Sequence, residues 1–155
     1  MQFLDIMDYA TYKSASALPG GVAVCGEGSC GALSGAAMSV SLVYGRASLQ
    51  KSAESLEAQE AHCRLFRLTD EFAKEFGGYT CHAVQKTVLG QALDMRDPAK
   101  VQERLALRPM ILEKSSVIIS KATELAIEAI FEDTENLSRF APRWELFKDL
   151  EKEQW

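Results

Sequence analysis

The chain has 155 residues with 17 basic and 22 acidic side chains, a net charge of −5 at pH 7, and 47% hydrophobic and 25% charged residues. That length suits one domain burying roughly two-thirds of its unfolded surface, and the composition is ordinary for a soluble globular protein. An acidic balance without a Lys/Arg cluster excludes a phosphate-neutralising nucleic-acid surface, and no apolar run approaches the roughly 18 residues that span a bilayer.

The opening MQFLDIMDYA carries acids where a secretion signal needs bases, so a cytoplasmic location is expected, where thiols stay reduced unless catalytic or metal-bound. Helical periodicity dominates from there on. Residues 4–17 read as a first helix, stopped by Pro19-Gly20-Gly21. Cys30 to Tyr44 is apolar with small residues on all sides, the mark of a buried central helix, and Gly45 suits its C-cap. A long helix is expected from about Ser52 to Phe76, stopped by Gly77-Gly78, then another from Cys81 to Leu89, closed by Gly90. Pro98 fits the first turn of a helix to about Leu107.

Residues 109–132 form the last long helix, with Ile111, Leu112, Ile118, Ile119, Ala122, Leu125, Ala126, Ala129 and Ile130 as its apolar face. The tail 134–155 adds an amphipathic segment through Trp144, Leu146, Phe147 and Leu150, packed on the same domain or on a partner. No segment alternates with period two, so the fold class is all-α, a single-domain bundle of five or six helices over residues 1–133.

The chemistry concentrates in Cys25 to Gly35, CGEGSCGALSG. Glycine and serine let backbone N–H groups approach a sulfur, and a thiolate at a helix start gains from the positive end of the macrodipole. All four cysteines (25, 30, 63, 81) and both histidines (62, 82) lie between positions 25 and 82. On the 52–76 helix, Ala58, Ala61, Leu65, Leu68, Phe72 and Phe76 share the core face, whereas Cys63 lies about 160° from Leu65. Cys63 is therefore expected to be peripheral or at an interface, and His62 at the boundary. His82, in a helix first turn, is expected to be neutral and hydrogen-bonded. Glu54, Glu57 and Glu60 read as solvated surface. There is no Walker loop, GxGxxG, HExxH, Gly-x-Ser-x-Gly or CxxC. The x4 gap between Cys25 and Cys30 is within iron–sulfur spacing.

The segment Gly20 to Gly45 resembles a bacterial and archaeal family described as redox-active proteins and named for its C-GCAxxG-C-C cysteine pattern. Its central Cys-Gly-Ala-x-x-Gly is matched by Cys30-Gly31-Ala32-Leu33-Ser34-Gly35, and its Phe-Gly followed closely by Cys is matched by Phe76-Gly77-Gly78-Tyr79-Thr80-Cys81. The resemblance spans roughly residues 5–131. Two family cysteines are absent: one upstream of the Gly-Gly turn, and one in the stretch Glu113-Lys114-Ser115-Ser116, which carries serine.

The resemblance implies redox chemistry in which Cys30 is the attacking thiolate and Cys81 or Cys25 the resolving thiol. It also implies that the helix starts at Cys30 and Cys81 converge on one pocket lined by Gly26, Gly28, Gly31 and Ala32. Gly31, Ala32, Gly35 and His82 are the residues expected to contact a cofactor. The second reading is a metal site. The split-Soret cytochromes are similar to this family and their corresponding domain is associated with an iron–sulfur cluster, so Cys25, Cys30 and Cys81, with His82 or a non-protein ligand, would hold zinc or an iron–sulfur cluster. The third is a helical interaction protein, a homodimer built on Leu49, Leu56, Cys63 and the aromatic residues Phe140, Trp144, Phe147 and Trp155. An electron-transfer partner protein belongs to the redox reading.

Overall fold

The computed structural model describes residues 8–46, 48 and 55–133, the side chains of Leu56 and Glu57 excepted. Residues 4–7 and 52–54 of the expected helices, the Leu49 and Leu56 side chains, and the whole 134–155 tail with its aromatic residues lie outside them. Among the described residues there are six α-helices and no strand: α1 (Tyr9–Ser14), running into a 3-10 turn (Ala15–Ala17), α2 (Gly31–Tyr44), α3 (Leu56–Phe76), α4 (Cys81–Leu89), α5 (Pro98–Ala106) and α6 (Arg108–Phe131).

Local chemistry sets the boundaries. The Ser55, Thr80 and Asp97 side chains accept the N–H groups of Ala58, Ala83 and Ala99, capping α3, α4 and α5. Gly77 and Gly90 end α3 and α4 in the left-handed conformation, each at φ 77°. Gly45 ends α2 differently, in an extended conformation at φ −70°. Leu107 closes α5 and opens α6, so no loop separates the last two helices.

Helices α2, α3 and α6 pack on one another in the core, and α4 and α5 lie against α6. Leu33, Ala36 and Val40 of α2 meet Leu68, Phe72 and Phe76 of α3 and Ala122, Leu125, Ala126, Ala129 and Ile130 of α6. The Phe72 and Phe76 rings pack tilted, with centroids 4.8 Å apart. Small residues on α2 and α6 let the backbones approach, and burial of the larger ones supplies the driving force.

Several sequence expectations are corrected here. Leu42 and Val43 of α2 are exposed, so that helix is buried on one side rather than all round. Leu112 and Ile119 of α6 are 60% and 56% exposed, because the other helices cover only part of its apolar circumference. Cys63 is 1% exposed: the first three turns of α3 bury Ala58, Gln59, Ala61, Cys63 and Arg64, far more than one stripe. His62 faces solvent instead of sitting on a boundary.

Glu60 is more than a solvated acid. It accepts from Arg64 Nη2 at 2.7 Å and Nε at 3.1 Å. The Arg64 side chain is 2% exposed and also donates to the Ala129 and Glu132 carbonyls, each at 2.8 Å, while its guanidinium lies 3.9 Å from the Tyr44 ring centre. The Tyr44 hydroxyl donates to the Ile130 carbonyl at 2.6 Å. One buried cation thereby caps the C-terminal carbonyls of α6 and fastens α2 and α3 to it.

Candidate redox site

Short extended segments ahead of α2 and α4 run antiparallel and pair at a single bridge, Ser29 to Thr80. Cys30 N–H donates to the Tyr79 carbonyl at 2.8 Å, Cys81 N–H to Gly28 at 2.9 Å, and His82 N–H to Gly26 at 2.8 Å. Each cysteine is thus fastened through its backbone to the segment that carries the other. The two helix N-termini converge, with Cys30 as the N-cap of α2 and Cys81 as the first residue of α4.

The turn beneath them is built from left-handed backbone. Gly20, Gly21, Val22, Ala23 and Val24 have φ between 49° and 75°, a run that costs each non-glycine residue roughly 1–2 kcal/mol. Hydrogen bonds from Val22, Ala23 and Val24 N–H back to Leu18, Ala17 and Pro19 hold it. Gly21 has no alternative, since a Cβ there would sit 2.8 Å from Cys81 Cβ. The run therefore brings backbone directly under the second cysteine.

The two thiols interact. Cys30 is drawn down from 9.0 to about 6, first because the Cys81 thiol donates to its sulfur, against burial, and then because the Ala32 and Leu33 N–H groups favour the anion. Cys81 is pushed well up for the complementary reason: it holds its proton for Cys30, and burial disfavours a second charge. Gln85 Nε2 donates to Cys81 Sγ at 3.2 Å, and Gln85 Oε1 accepts Leu93 N–H at 2.9 Å, which fixes the amide's orientation. Arg104 opposes the rise by attraction. The pair stores one proton and one nucleophilic sulfur.

Both cysteines open onto a cleft of about 760 Å³ between α2, α4 and α6. Of the expected lining, Gly31 and Ala32 face it, whereas Gly26 and Gly28 do not, being spent on the backbone bridges; Gly35 also lines it. Cys25 does not line it either; its thiol donates to the Gly21 carbonyl at 3.0 Å. His82 stands outside, exposed, with Nδ1 3.9 Å from Glu27 Oε1. Sequence reasoning missed Gln85, Arg104, Lys114 and the wall contributed by α6. Gln85 was within reach of it, four residues after Cys81 on the same helix face; the others join the site only through tertiary packing.

A model of the family described as "Putative redox-active protein (C_GCAxxG_C_C)" matches residues 2–126. The chain belongs to this family. No curated protein and no solved structure matches it.

The family pattern makes the composition of the cleft informative. Ser115 lines it together with Cys30 and Cys81, and it falls in the stretch where the pattern carries its last cysteine. Ser116 faces away, donating to the Glu113 carbonyl at 2.6 Å. The donors present do not fit zinc or an iron–sulfur cluster: no group of three Cys, His, Asp or Glu residues is gathered among the described residues. Cys25 and His82 are turned to other partners, so the set Cys25, Cys30, Cys81 and His82 is not assembled. All four cysteines are free thiols.

Proposed function

We propose that the protein is a dithiol redox carrier whose couple is Cys30 and Cys81. The observation that supports this is the pairing of the two cysteine-bearing segments across the Ser29–Thr80 bridge, which brings Cys30 and Cys81, each at a helix N-terminus, into the lining of one open cleft. The Cys30 thiolate attacks one sulfur of an oxidised partner, forming a mixed disulfide and releasing the other sulfur as thiolate. Cys81 then gives up its proton, attacks Cys30 Sγ and breaks the mixed disulfide, and the partner's second sulfur leaves as the protonated thiol. Two electrons have passed to the partner and the Cys30–Cys81 disulfide remains. Cys25, engaged with Gly21, is not the resolving thiol in this scheme.

Oxidation of the reduced protein with diamide, followed by peptide mapping, tests the reading. The expected product is a Cys30–Cys81 link that forms equally in a Cys25→Ser variant. Four free thiols, or a Cys25–Cys30 link, would overturn it. An electron-transfer protein as partner and a cytoplasmic setting accord with this chemistry; no helix among the described residues is long and apolar enough to cross a membrane.

A further inference from the structure

The cleft is far larger than a thiol pair requires. It follows α6 from Ile111 to Phe131, which at 1.5 Å per residue is about 30 Å of helix. Its charged lining residues are Arg104, near enough to Cys81 to attract its thiolate, and Lys114, which with Ser115 lines the cleft from the first third of α6. Further along, the hydroxyl protons in the wall are already spent within the protein: Ser39 Oγ donates to the Gly35 carbonyl at 3.0 Å and Thr123 Oγ1 to Ile119 at 2.8 Å. Gln85 is engaged at both ends of its amide. Such a wall offers few donors to a peptide backbone, whose C=O groups need partners along their length. Yet Ile119, Ile127 and Phe131 leave more than half of their surface exposed along it, and the Gly35 position has nothing within 4 Å where a side chain would stand. The shape and polarity suit a molecule with a compact polar head at the cysteines and a long apolar tail.

We infer that the cleft binds a quinone carrying an aliphatic tail, which accepts the two electrons of the Cys30–Cys81 couple. This rests on the dithiol reading. The Cys30 thiolate adds to a ring carbonyl carbon, forming a C–S bond, and the carbonyl oxygen takes a proton from water. Cys81 loses its proton and attacks Cys30 Sγ. The S–S bond forms, the C–S bond breaks, and its electron pair enters the ring as the second oxygen takes the proton. The dithiol is oxidised to a disulfide and the quinone reduced to a hydroquinone. Arg104 and Lys114 complement the negative charge that develops on the quinone oxygens during the transfer.

The test uses the reduced full-length protein and two fully ring-substituted benzoquinones, one bearing a decyl chain and one a methyl group, because full substitution blocks arylation of the thiols. The decyl quinone is expected to form the Cys30–Cys81 disulfide at least about tenfold faster at equal concentration, a factor that burial of about two methylenes supplies. Gly35→Leu, which puts a side chain where nothing lies within 4 Å of its Cβ, should abolish that preference. Ile127→Glu, at an exposed position on the cleft wall, should do the same and covers the case in which the first variant folds poorly. No preference for the tail in the unaltered protein, or a preference that survives both variants, overturns the inference. Failure of diamide to form the Cys30–Cys81 bond would instead overturn the dithiol reading beneath it.

Discussion

Cys81→Ala isolates the force that holds Cys30 as a thiolate. The substitution removes the first and largest cause of the lowered value and leaves burial opposed by the Ala32 and Leu33 N–H groups. Cys30 should return from about 6 towards 9.0. At pH 7 its thiolate fraction then falls from about nine-tenths to about one-hundredth. Alkylation is a blunt readout, since the thiolate of a weaker acid is the better nucleophile: a Brønsted slope of about 0.45 restores roughly twentyfold of a roughly ninetyfold loss, leaving only about fourfold. The direct assay is the pH titration of thiolate ultraviolet absorbance in a Cys25→Ser background.

The same pair fixes how stability depends on pH. Cys30 is depressed, so its contribution is present above its unfolded value near 9.0 and lost as pH falls through about 6. Cys81 is raised, so its contribution is present below 9.0 and lost as pH climbs above it. The reduced protein should therefore gain stability from pH 6 to 9, by at most about 4 kcal/mol for a three-unit shift, and lose it beyond. Cys81→Ala should flatten the climb. A Cys30 titration that stays near 6 in Cys81→Ala would refute the reasoning and assign the effect to the helix N-terminus alone.

Three further outcomes follow from named contacts. Arg64→Met should cost roughly 3–5 kcal/mol in urea unfolding, because it strips Glu60 and the α6 carbonyls of their buried donor; a loss below about 1 kcal/mol would make the cluster incidental. Gly21→Ala should destabilise the fold and displace Cys81, raising the Cys30 pKa, since φ 75° and the Cys81 Cβ both oppose a side chain there; an unchanged titration would count against that packing. Val22→Asn should stabilise by up to about 1 kcal/mol in the same assay, because asparagine tolerates the φ of 63° that valine resists; a destabilisation would show that the valine side chain contributes more than its strain costs.

The helices were legible because punctuation and periodicity agreed. Pro98 opens α5, Gly77 and Gly90 end α3 and α4 in left-handed geometry, and the Phe72 and Phe76 face enters the core as its spacing requires. The wheel of α3 misplaced Cys63 because one apolar stripe was assumed, whereas Gln59 and Arg64 are buried with it, the arginine's charge being met by Glu60 and by carbonyls from the far end of α6. No local pattern announces that a mid-helix arginine will cap another helix. The left-handed run at Val22 to Val24 was hidden for the opposite reason: β-branched residues argue against positive φ, and only the surrounding hydrogen bonds impose it. The meeting of Cys30 and Cys81 was implied by family resemblance, not by spacing, and the cleft beside them exists only once α2, α4 and α6 are placed.

The residue that decides what such a site can do is Ser115. It stands on the α6 wall of the cleft that holds the two cysteines, and a serine hydroxyl can neither form a disulfide nor supply the soft thiolate that iron prefers. With Cys25 held by Gly21 and His82 beside Glu27, the sulfurs that line the cleft among the described residues are those of Cys30 and Cys81. On the proposed dithiol reading, a thiolate at Cys30 beside a Cys81 thiol that keeps its proton distinguishes nucleophile from resolving group before any partner arrives. The asymmetry is written into the backbone. Cys30 precedes its helix, where the Ala32 and Leu33 N–H groups favour its anion, whereas Cys81 lies inside the first turn of its own with Gln85 donating to its sulfur.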